Sequence, residues 1–360
     1  MNTVLAPTTF EELAEAVRST PHLLAVGAGT KPRLSAVDAV KLSMTALRGI
    51  SEYDPSEFTF TAAAGTPVRE IAAALAERGQ YLPFDPMLVG AGATLGGTVA
   101  AGLSGPGRFR FGGLRDFILG VRFVDGAGRL LRMGGKVVKN AAGFDLPKFF
   151  VGSLGRFGVL AEIAFKVFPR PPSALTVLLD ASTLDAAAQI FTEAANARFE
   201  FDALDAAPRE LGVLARLAGP AAALEVITRE IFGRWPGKVV PESVAETIWA
   251  DLGGFRWADP IAPLIKVALS PASVVGLGQA VRSLDGARLH LSAGGNLAFV
   301  SLSSPTQAGE LDEHLQKMRL CGVTLRGDAS LWLGPRTRPA IAGAIKQALD
   351  PLNRFPSLDD

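Results

Sequence analysis

The stretch LVGAGATLGGTVAAGLSGPGRFRFGG, residues 88–113, contains nine glycines, at positions 90, 92, 96, 97, 102, 105, 107, 112 and 113. Glycine makes up about 7% of an average protein, so this density has a structural cause. Apolar residues such as Leu95, Val99 and Phe109 alternate with the glycines, whereas a disordered segment would be poor in them. Because glycine tolerates positive φ and has no side chain, its amides can converge on a phosphate. The stretch therefore predicts a packed loop region that binds a phosphate-bearing cofactor.

A second glycine loop lies earlier in the chain, directly after an apolar strand. Leu23-Leu24-Ala25-Val26 opens into Gly27-Ala28-Gly29-Thr30-Lys31-Pro32, which offers amides, one hydroxyl and one cation. The dinucleotide fingerprint fails here, because Pro32 occupies the place of its third glycine and cannot begin the closely packed helix. The P-loop pattern is also absent. On its own, this loop fits a plain strand-to-turn connection as well as it fits phosphate binding.

The composition is that of an ordinary globular protein. With 36 Lys+Arg against 35 Asp+Glu, the formal net charge is +1, which argues against a nucleic-acid binder. The single cysteine, Cys321, can form neither an internal disulfide nor a metal cluster, so any iron–sulfur centre must belong to another chain. The first twenty residues predict a capped amphipathic helix without a basic and apolar leader pattern. We therefore expect a cytoplasmic, reducing location, with membrane contact only indirect, on the inner face, through a complex.

The chain of 360 residues is long enough for two packed domains. Pro169-Arg170-Pro171-Pro172 follows an apolar strand, 160–168, and removes successive amide donors, so it predicts a boundary. Before it, apolar runs at 22–26, 58–63 and 119–124 predict strands. One clear helix, 67–78, begins at a proline and ends before Gly79. We expect a first domain over residues 1–170.

After the boundary the order strand-helix-strand-strand-helix-strand occurs twice. Two such units predict an antiparallel sheet with helices on one face, so the fold class is α+β. We expect this second domain, a cap, over residues 171–327, and a C-terminal segment, 328–360, that returns to the first domain. The predicted elements are, in order, 175–179, 184–197, 201–206, 213–218, 221–235 and 238–240, then 265–269, 272–284, 288–291, 297–302, 307–318 and 323–326, with further helices at 241–251 and 338–349.

Six motifs occur along the first half of the chain. They are Gly27-Ala28-Gly29-Thr30, Leu82-Pro83-Phe84-Asp85-Pro86, Ala93-Thr94-Leu95-Gly96-Gly97, Gly113-Leu114-Arg115-Asp116, Val138-Lys139-Asn140-Ala141-Ala142-Gly143 and Gly152-Ser153-Leu154-Gly155-Arg156-Phe157-Gly158-Val159. Taken together, in this order and spacing, they resemble the vanillyl-alcohol oxidase flavoproteins, whose FAD-binding domain is of the two-subdomain PCMH type. The resemblance is strong over about residues 5–170, and it is closest to the FAD-binding subunits of bacterial glycolate oxidases.

This resemblance implies FAD as the cofactor, with the first loop at its pyrophosphate and ribityl chain. No histidine or cysteine stands near 27–30, so we expect FAD to be held non-covalently. Alternatives stay open for some positions, because close-packed glycines need no ligand, Arg115 and Asp116 could form a surface ion pair, and Lys139-Asn140 could cap a turn. The residues that the resemblance implies at FAD are Val26, Gly27, Ala28, Gly29, Thr30, Lys31, Pro86, Ala93, Thr94, Gly96, Gly97, Ser104, Gly105, Asp116, Asn140, Gly155, Gly158 and Val159.

The cap departs from relatives that oxidise 2-hydroxy acids themselves. Those relatives resemble a pattern H-x-G-D-G-N-x-H, whose imidazoles bind a metal. Counted back from Asn296, the corresponding positions are Leu291, Gly294 and Ala298. We therefore expect no metal site, and we assign no catalytic residue.

Three functions follow as hypotheses. The first is an FAD-binding subunit of a 2-hydroxy-acid oxidoreductase of the glycolate or D-lactate type, which relays electrons with a second FAD-bearing subunit and an iron–sulfur subunit. The second is a self-sufficient FAD-dependent oxidoreductase with a carboxylate-binding cation in the cap. The third is a non-catalytic assembly subunit. The candidate cations are Arg256, Lys266, Arg326 and Arg336.

Overall fold

A computed structural model of the chain describes residues 4–135, 145–208, 212–336 and 339–359. Within these ranges it contains the following strands and helices. The strands are β1 (Val4–Leu5), β2 (Leu23–Val26), β3 (Val40–Ser43), β4 (Ile50–Asp54), β5 (Thr59–Ala63), β6 (Gln80–Tyr81), β7 (Ile118–Val124), β8 (Leu130–Gly134), β9 (Val159–Lys166), β10 (Phe168–Pro169), β11 (Ser173–Asp180), β12 (Phe201–Asp205), β13 (Gly212–Gly219), β14 (Gly237–Val240), β15 (Leu264–Ala268), β16 (Arg288–Ser292), β17 (Leu297–Ser301), β18 (Cys321–Arg326) and β19 (Trp332–Leu333). The helices are α1 (Phe10–Ser19), α2 (Val68–Ala76), α3 (Leu95–Ala101), α4 (Arg108–Phe111), α5 (Leu146–Phe149), α6 (Leu184–Ala195), α7 (Ala221–Arg234), α8 (Glu242–Gly254), α9 (Val274–Arg282), α10 (Gln307–Met318) and α11 (Pro339–Leu349).

The chain divides into two compact units. Unit 1 comprises residues 1–104, 113–170 and 338–360, and unit 2 comprises 105–112 and 171–337. Two boundaries therefore differ from the predicted ones. Residues 105–112 belong to unit 2, because Arg110 of α4 forms ion pairs of 2.6 Å with Asp202 and with Glu200 beside β12. Residues 328–337 also belong to unit 2, because β19 pairs with β18.

Unit 1 contains two main sheets. A parallel sheet has the order β1-β3-β2, and an antiparallel sheet has the order β4-β5-β9-β7-β8. Phenylalanines fill the space beside the second sheet, where the rings of Phe60 and Phe165 stack at 5.9 Å. A short antiparallel ribbon pairs β6 with β10.

The N-terminal helix is shorter than predicted. It occupies only Phe10–Ser19, and Thr9 is its N-cap, because the Thr9 side chain accepts a hydrogen bond of 3.1 Å from the Glu12 amide. Residues 4–5 instead form β1, which pairs with β3 and so satisfies its backbone in a sheet. The spacing of apolar residues alone predicts a single helix here and does not distinguish β1 from α1.

Unit 2 carries the repeated strand-helix order that the sequence predicts. The first repeat forms a sheet of order β12-β13-β11-β14, and the second a sheet of order β16-β17-β15-β18-β19; both are antiparallel. A bridge between Ala206 and Leu291 joins their edges, so the predicted single sheet is two linked sheets. Their apolar faces share one core with α6, α7, α9 and α10. The α+β class, with an antiparallel cap sheet, is confirmed.

Candidate functional site

Unit 1 contains a cleft whose lining comes from separate parts of the chain. One wall is the end of β2 and the loop after it, and a second wall is the turn before β9. The rest of the lining includes α3, Ala64 directly after β5, and Leu160 of β9.

The loop 27–31 presents backbone donors to the cleft. Within the described part of the chain, none of the amides from Gly27 to Lys31 donates a hydrogen bond. Gly29 has φ +67°, and a Cβ there would meet no atom within 4 Å. A run of unused amides that includes a left-handed glycine is the arrangement that binds a phosphate in a concave loop.

Lys31 adds a positive charge to this loop. Its ammonium donates a hydrogen bond of 3.0 Å to Thr30 Oγ1, and burial lowers the pKa of Lys31 from 10.5 to about 8. No carboxylate forms an ion pair with it among the residues that the structure describes. A buried cation is costly unless an anion compensates it, so Lys31 favours an anionic ligand in the cleft.

The N-terminus of α3 is held closely against the rest of unit 1. Thr94 is its N-cap, and the amides of Leu95 and Gly96 donate to Thr66 O at 2.9 Å and to Ala64 O at 2.7 Å. A Cβ on Gly96 would lie 2.7 Å from the Ala64 Cβ. Gly96 thus permits close packing, and its amide is already used. Gly97 keeps only a long bond, 3.3 Å, to Thr94 Oγ1.

The glycine of the first loop also depends on Thr94. A Cβ on Gly27 would overlap Thr94 Oγ1. The two glycine loops, distant in sequence, therefore touch at this point, and only glycine fits at position 27.

The turn before β9 contributes a hydroxyl that the sequence analysis did not single out. Ser153 lines the cleft, is 5% exposed, and its Oγ has no hydrogen-bond partner in the described chain. Leu154 beside it has φ +54°, an uncommon conformation for leucine, and its amide donates to Ala100 O at 2.9 Å. The position of Ser153 between Gly152 and Gly155 is the signal that could have found it. Met44, Ala64 and Ala100 also line the cleft and carried no such signal.

The structure brings many of the predicted residues together, and others lie elsewhere. Asn140 lies outside the described residues. The residues that line the cleft are Val26, Gly27, Ala28, Gly29, Thr30, Lys31, Thr94, Gly96, Gly97, Gly155 and Gly158. The predicted residues that do not line it are Pro86, Ala93, Ser104, Gly105, Asp116 and Val159.

The predicted residues outside the cleft have structural contacts of their own. Ser104 Oγ accepts a bond of 3.2 Å from the Leu114 amide, and Pro86 bridges to Ser104. The exposed Asp116 accepts a bond of 2.9 Å from the Gly113 amide and so caps a short turn rather than pairing with Arg115. Ala93 and Val159 are buried.

The cap positions that correspond to the metal-binding pattern lie on β16, β17 and the turn between them. Leu291 and Ala298 are buried in the core of unit 2, and Gly294 has φ +63° in the turn. The described residues contain no cluster of three or more His, Cys, Asp or Glu that could hold a metal ion.

His290 belongs to a fully buried polar group that links the two sheets of unit 2. Its Nε2 lies 2.7 Å from Asp205 Oδ2, while Ser292 Oγ and the Ala293 amide each donate to Asp205 Oδ1 at 3.0 Å. His290 and Asp205 are both 0% exposed. This arrangement holds β12 beside β16 at the bridge between Ala206 and Leu291.

The candidate carboxylate-binding cations lie in different settings. Arg256 pairs with Asp251 at 3.1 Å, Arg326 donates to Asp259 O, and Arg336 lies over the Trp332 ring. Burial, followed by the charge of Arg108, lowers the pKa of Lys266 to about 8.

The chain resembles several known proteins in sequence. Residues 1–134 match the family described as FAD binding domain. The chain is 44% identical over 182 residues to the glycolate oxidase subunit GlcE of Escherichia coli (strain K12), a match over 50% of this chain and 52% of that protein. It is 33% identical over 144 residues to the glycolate oxidase subunit GlcD of Bacillus subtilis (strain 168), over 40% of this chain and 30% of that one.

More distant similarity extends over the whole fold. A solved structure of alkyldihydroxyacetonephosphate synthase superposes on 97% of this chain and 76% of its own with a TM-score of 0.70 at 16% identity. The chain spans about half the length of the E. coli relative and less of the B. subtilis one. Residues 1–134 thus resemble an FAD binding domain, and FAD is the cofactor.

The cleft fits such a cofactor. The unused amides of 27–31 and the Lys31 ammonium suit a pyrophosphate, and the unpartnered Ser153 hydroxyl can bond a polar atom of the ligand.

Proposed function

We propose that the chain is the FAD-binding subunit of a 2-hydroxy-acid oxidoreductase of the glycolate or D-lactate type. In this role it relays electrons with a second flavin-bearing subunit and an iron–sulfur subunit. The names of its relatives support the substrate class, since they include two glycolate oxidase subunits and the D-2-hydroxyglutarate dehydrogenase of Xanthomonas citri pv. viticola, 29% identical over 195 residues.

The cleft of unit 1 is the observation that carries the proposal. The amides of 27–31 and Lys31 bind the pyrophosphate, Ser153 bonds a polar atom of the cofactor, and the wall 153–155 excludes water from one side. FAD itself supplies the oxidation–reduction chemistry when it is bound, while the chain supplies binding and orientation. The role of each predicted cofactor residue is part of the proposal.

The cap supports the assignment of substrate oxidation and of the iron–sulfur centre to other subunits. The positions that would carry metal-binding imidazoles are Leu291 and Ala298 in a hydrophobic core and Gly294 in a left-handed turn. These side chains can neither bind a metal nor accept a proton from a substrate. We therefore assign substrate oxidation to the second flavin-bearing subunit. The only cysteine of this chain is Cys321, so the iron–sulfur centre is assigned to a third subunit.

The location belongs to the same proposal. No helix in the described ranges is long and apolar enough to cross a membrane. We place the chain in the cytoplasm, with contact to the inner face of a membrane only through its complex.

The test is anaerobic reduction of the bound flavin. Purified chain with FAD is mixed with glycolate or D-lactate, alone and after co-expression with the two partner subunits, and the flavin absorbance is followed. We expect no bleaching of the isolated chain and rapid bleaching in the complex. Bleaching of the isolated chain would show a self-sufficient oxidoreductase instead. An unchanged spectrum of this chain's flavin in an active complex would show an assembly subunit.

A further inference from the structure

The C-terminal segment, residues 339–359, contributes a buried ion pair to unit 1. Lys346 of α11 pairs with Asp350 at 2.6 Å, and their side chains are 11% and 0% exposed. Asp350 also accepts bonds from the amides of Arg354 at 2.8 Å and Phe355 at 3.0 Å. The Leu23 amide donates to Arg354 O at 2.8 Å, so the segment is fastened to the strand that leads into the first glycine loop.

Lys346 also reaches the turn that forms one wall of the cleft. Its ammonium donates to Arg156 O at 2.7 Å and to Phe355 O at 3.0 Å. Arg156 comes directly after Ser153, Leu154 and Gly155, all of which line the cleft. The segment itself supplies none of the described lining residues.

Arg156 connects the two walls. Its side chain is 2% exposed, and its Nη1 donates to Leu154 O at 2.7 Å on one wall and to Leu34 O at 3.2 Å on the other. Leu34 lies in the short turn, Pro32–Ser35, that follows Lys31. Lys41 holds the same turn through bonds of 2.6 Å to Ser35 O and 2.8 Å to Val37 O.

We propose that the C-terminal segment sets the affinity of unit 1 for FAD, with Lys346 as a positioning residue that acts through Arg156. Lys346 fixes the backbone of Arg156, and Arg156 fixes the separation of the two cleft walls. When this link is lost, the walls can move apart, and the binding energy of FAD is partly used to order them. The inference rests on FAD binding in the cleft, and it is independent of the substrate.

The experiment compares three variants of the full-length apoprotein. FAD dissociation constants are measured by fluorescence titration, and thermal unfolding of each apoprotein by circular dichroism. Lys346→Met removes the charged donor, and we expect its Kd to rise about tenfold or more, as for a lost charge-assisted hydrogen bond. Lys346→Arg restores a cation and recovers most of the affinity. Gln347→Met places the same methionine at an exposed position of the same helix and binds as the wild type does.

A purely structural role gives a different result. In that case Lys346→Met lowers the Tm of the apoprotein, while its Kd for FAD, measured well below the Tm, stays within about twofold of the wild type. That outcome would overturn the proposal and leave the cofactor site intact. If the wild type itself fails to bind FAD, the cofactor site and the proposal fall together.

A measurement on the wild type keeps the proposal testable if Lys346→Met does not fold. Coupling between two sites is reciprocal, so FAD binding must stabilise the C-terminal segment. Hydrogen exchange of the Arg354 and Phe355 amides, which bond to Asp350, should slow when FAD is added. Equal exchange with and without FAD would refute the link.

Discussion

Replacing Lys31 by methionine should stabilise the apoprotein and weaken FAD binding at the same time. Burial lowers the pKa of Lys31 from 10.5 to about 8. Keeping this ammonium charged at neutral pH in the empty cleft therefore costs up to about 3 kcal/mol. Lys31→Met removes that cost, so its free energy of unfolding should exceed that of the wild type by about 1–3 kcal/mol at pH 7.

The pH dependence of the free energy of unfolding tests the direction of this effect independently. Lys31 titrates near 10.5 in the unfolded chain and near 8 in the folded apoprotein. Between these pH values the unfolded chain binds more protons, so the stability of the wild type rises with pH. The advantage of Lys31→Met should accordingly shrink above about pH 8.

With FAD bound, the charged form of Lys31 should be favourable, because the phosphates of FAD attract its ammonium. The Kd of Lys31→Met for FAD should be about ten- to a hundredfold higher than that of the wild type at neutral pH. Above about pH 8, FAD binding to the wild type takes up a proton, so its Kd rises by up to about tenfold per pH unit, and the variant lacks this rise.

The assays are urea unfolding of the apoproteins and FAD titration across about pH 6–9. Lys317→Met serves as the matched control, since Lys317 lies on an exposed face of α10 with only a 3.9 Å contact to Glu313. A Lys31→Met apoprotein that is less stable than the wild type, with an unchanged Kd for FAD, would refute the reasoning.

Three further predictions concern single positions. Gly27→Ala should weaken FAD binding and lower the free energy of unfolding by about 1–3 kcal/mol, because its Cβ would overlap Thr94 Oγ1. The control is Gly233→Ala, whose Cβ would meet no atom within 4 Å, and equal stability and FAD affinity of the two variants would contradict the prediction. Gly97→Trp should abolish FAD retention while unit 2 stays folded; flavin that co-purifies with this variant would disprove the placement of the cofactor. Asp205→Ala should destabilise unit 2 by about 3–5 kcal/mol, because it leaves buried donors unpaired, and should leave the Kd for FAD within about twofold of the wild type. Proteolysis measures the first effect and FAD titration the second, and a higher Kd in folded protein would contradict the prediction.

The periodicity of the sequence predicted unit 2 in detail. Helix α10 begins and ends at the predicted residues, and every strand of both repeats was placed to within two residues or so. Apolar residues of both repeats lie in one core that helices cover, so local pattern and tertiary burial agree. The boundary at 105–112 could not be predicted, because it depends on ion pairs of Arg110 with residues about ninety positions away.

The candidate site was predictable only where the backbone itself carries the signal. The loop 27–31 follows from an apolar strand that opens into glycines, and its amides are indeed unused in the described chain. The contact between Gly27 and Thr94, the use of the Gly96 amide by Ala64, and the unpartnered Ser153 hydroxyl depend on long-range packing. No sequence pattern contains those distances.

The flavin content of the purified chain tests the central claim most directly. The protein is precipitated with acid, and the FAD in the supernatant is quantified against the protein. We predict a yellow protein that releases about one FAD per chain, since one cleft in unit 1 has the donors for it and no covalent link is expected. A colourless chain that does not bind added FAD would contradict the account, and flavin that stays with the precipitate would contradict non-covalent binding.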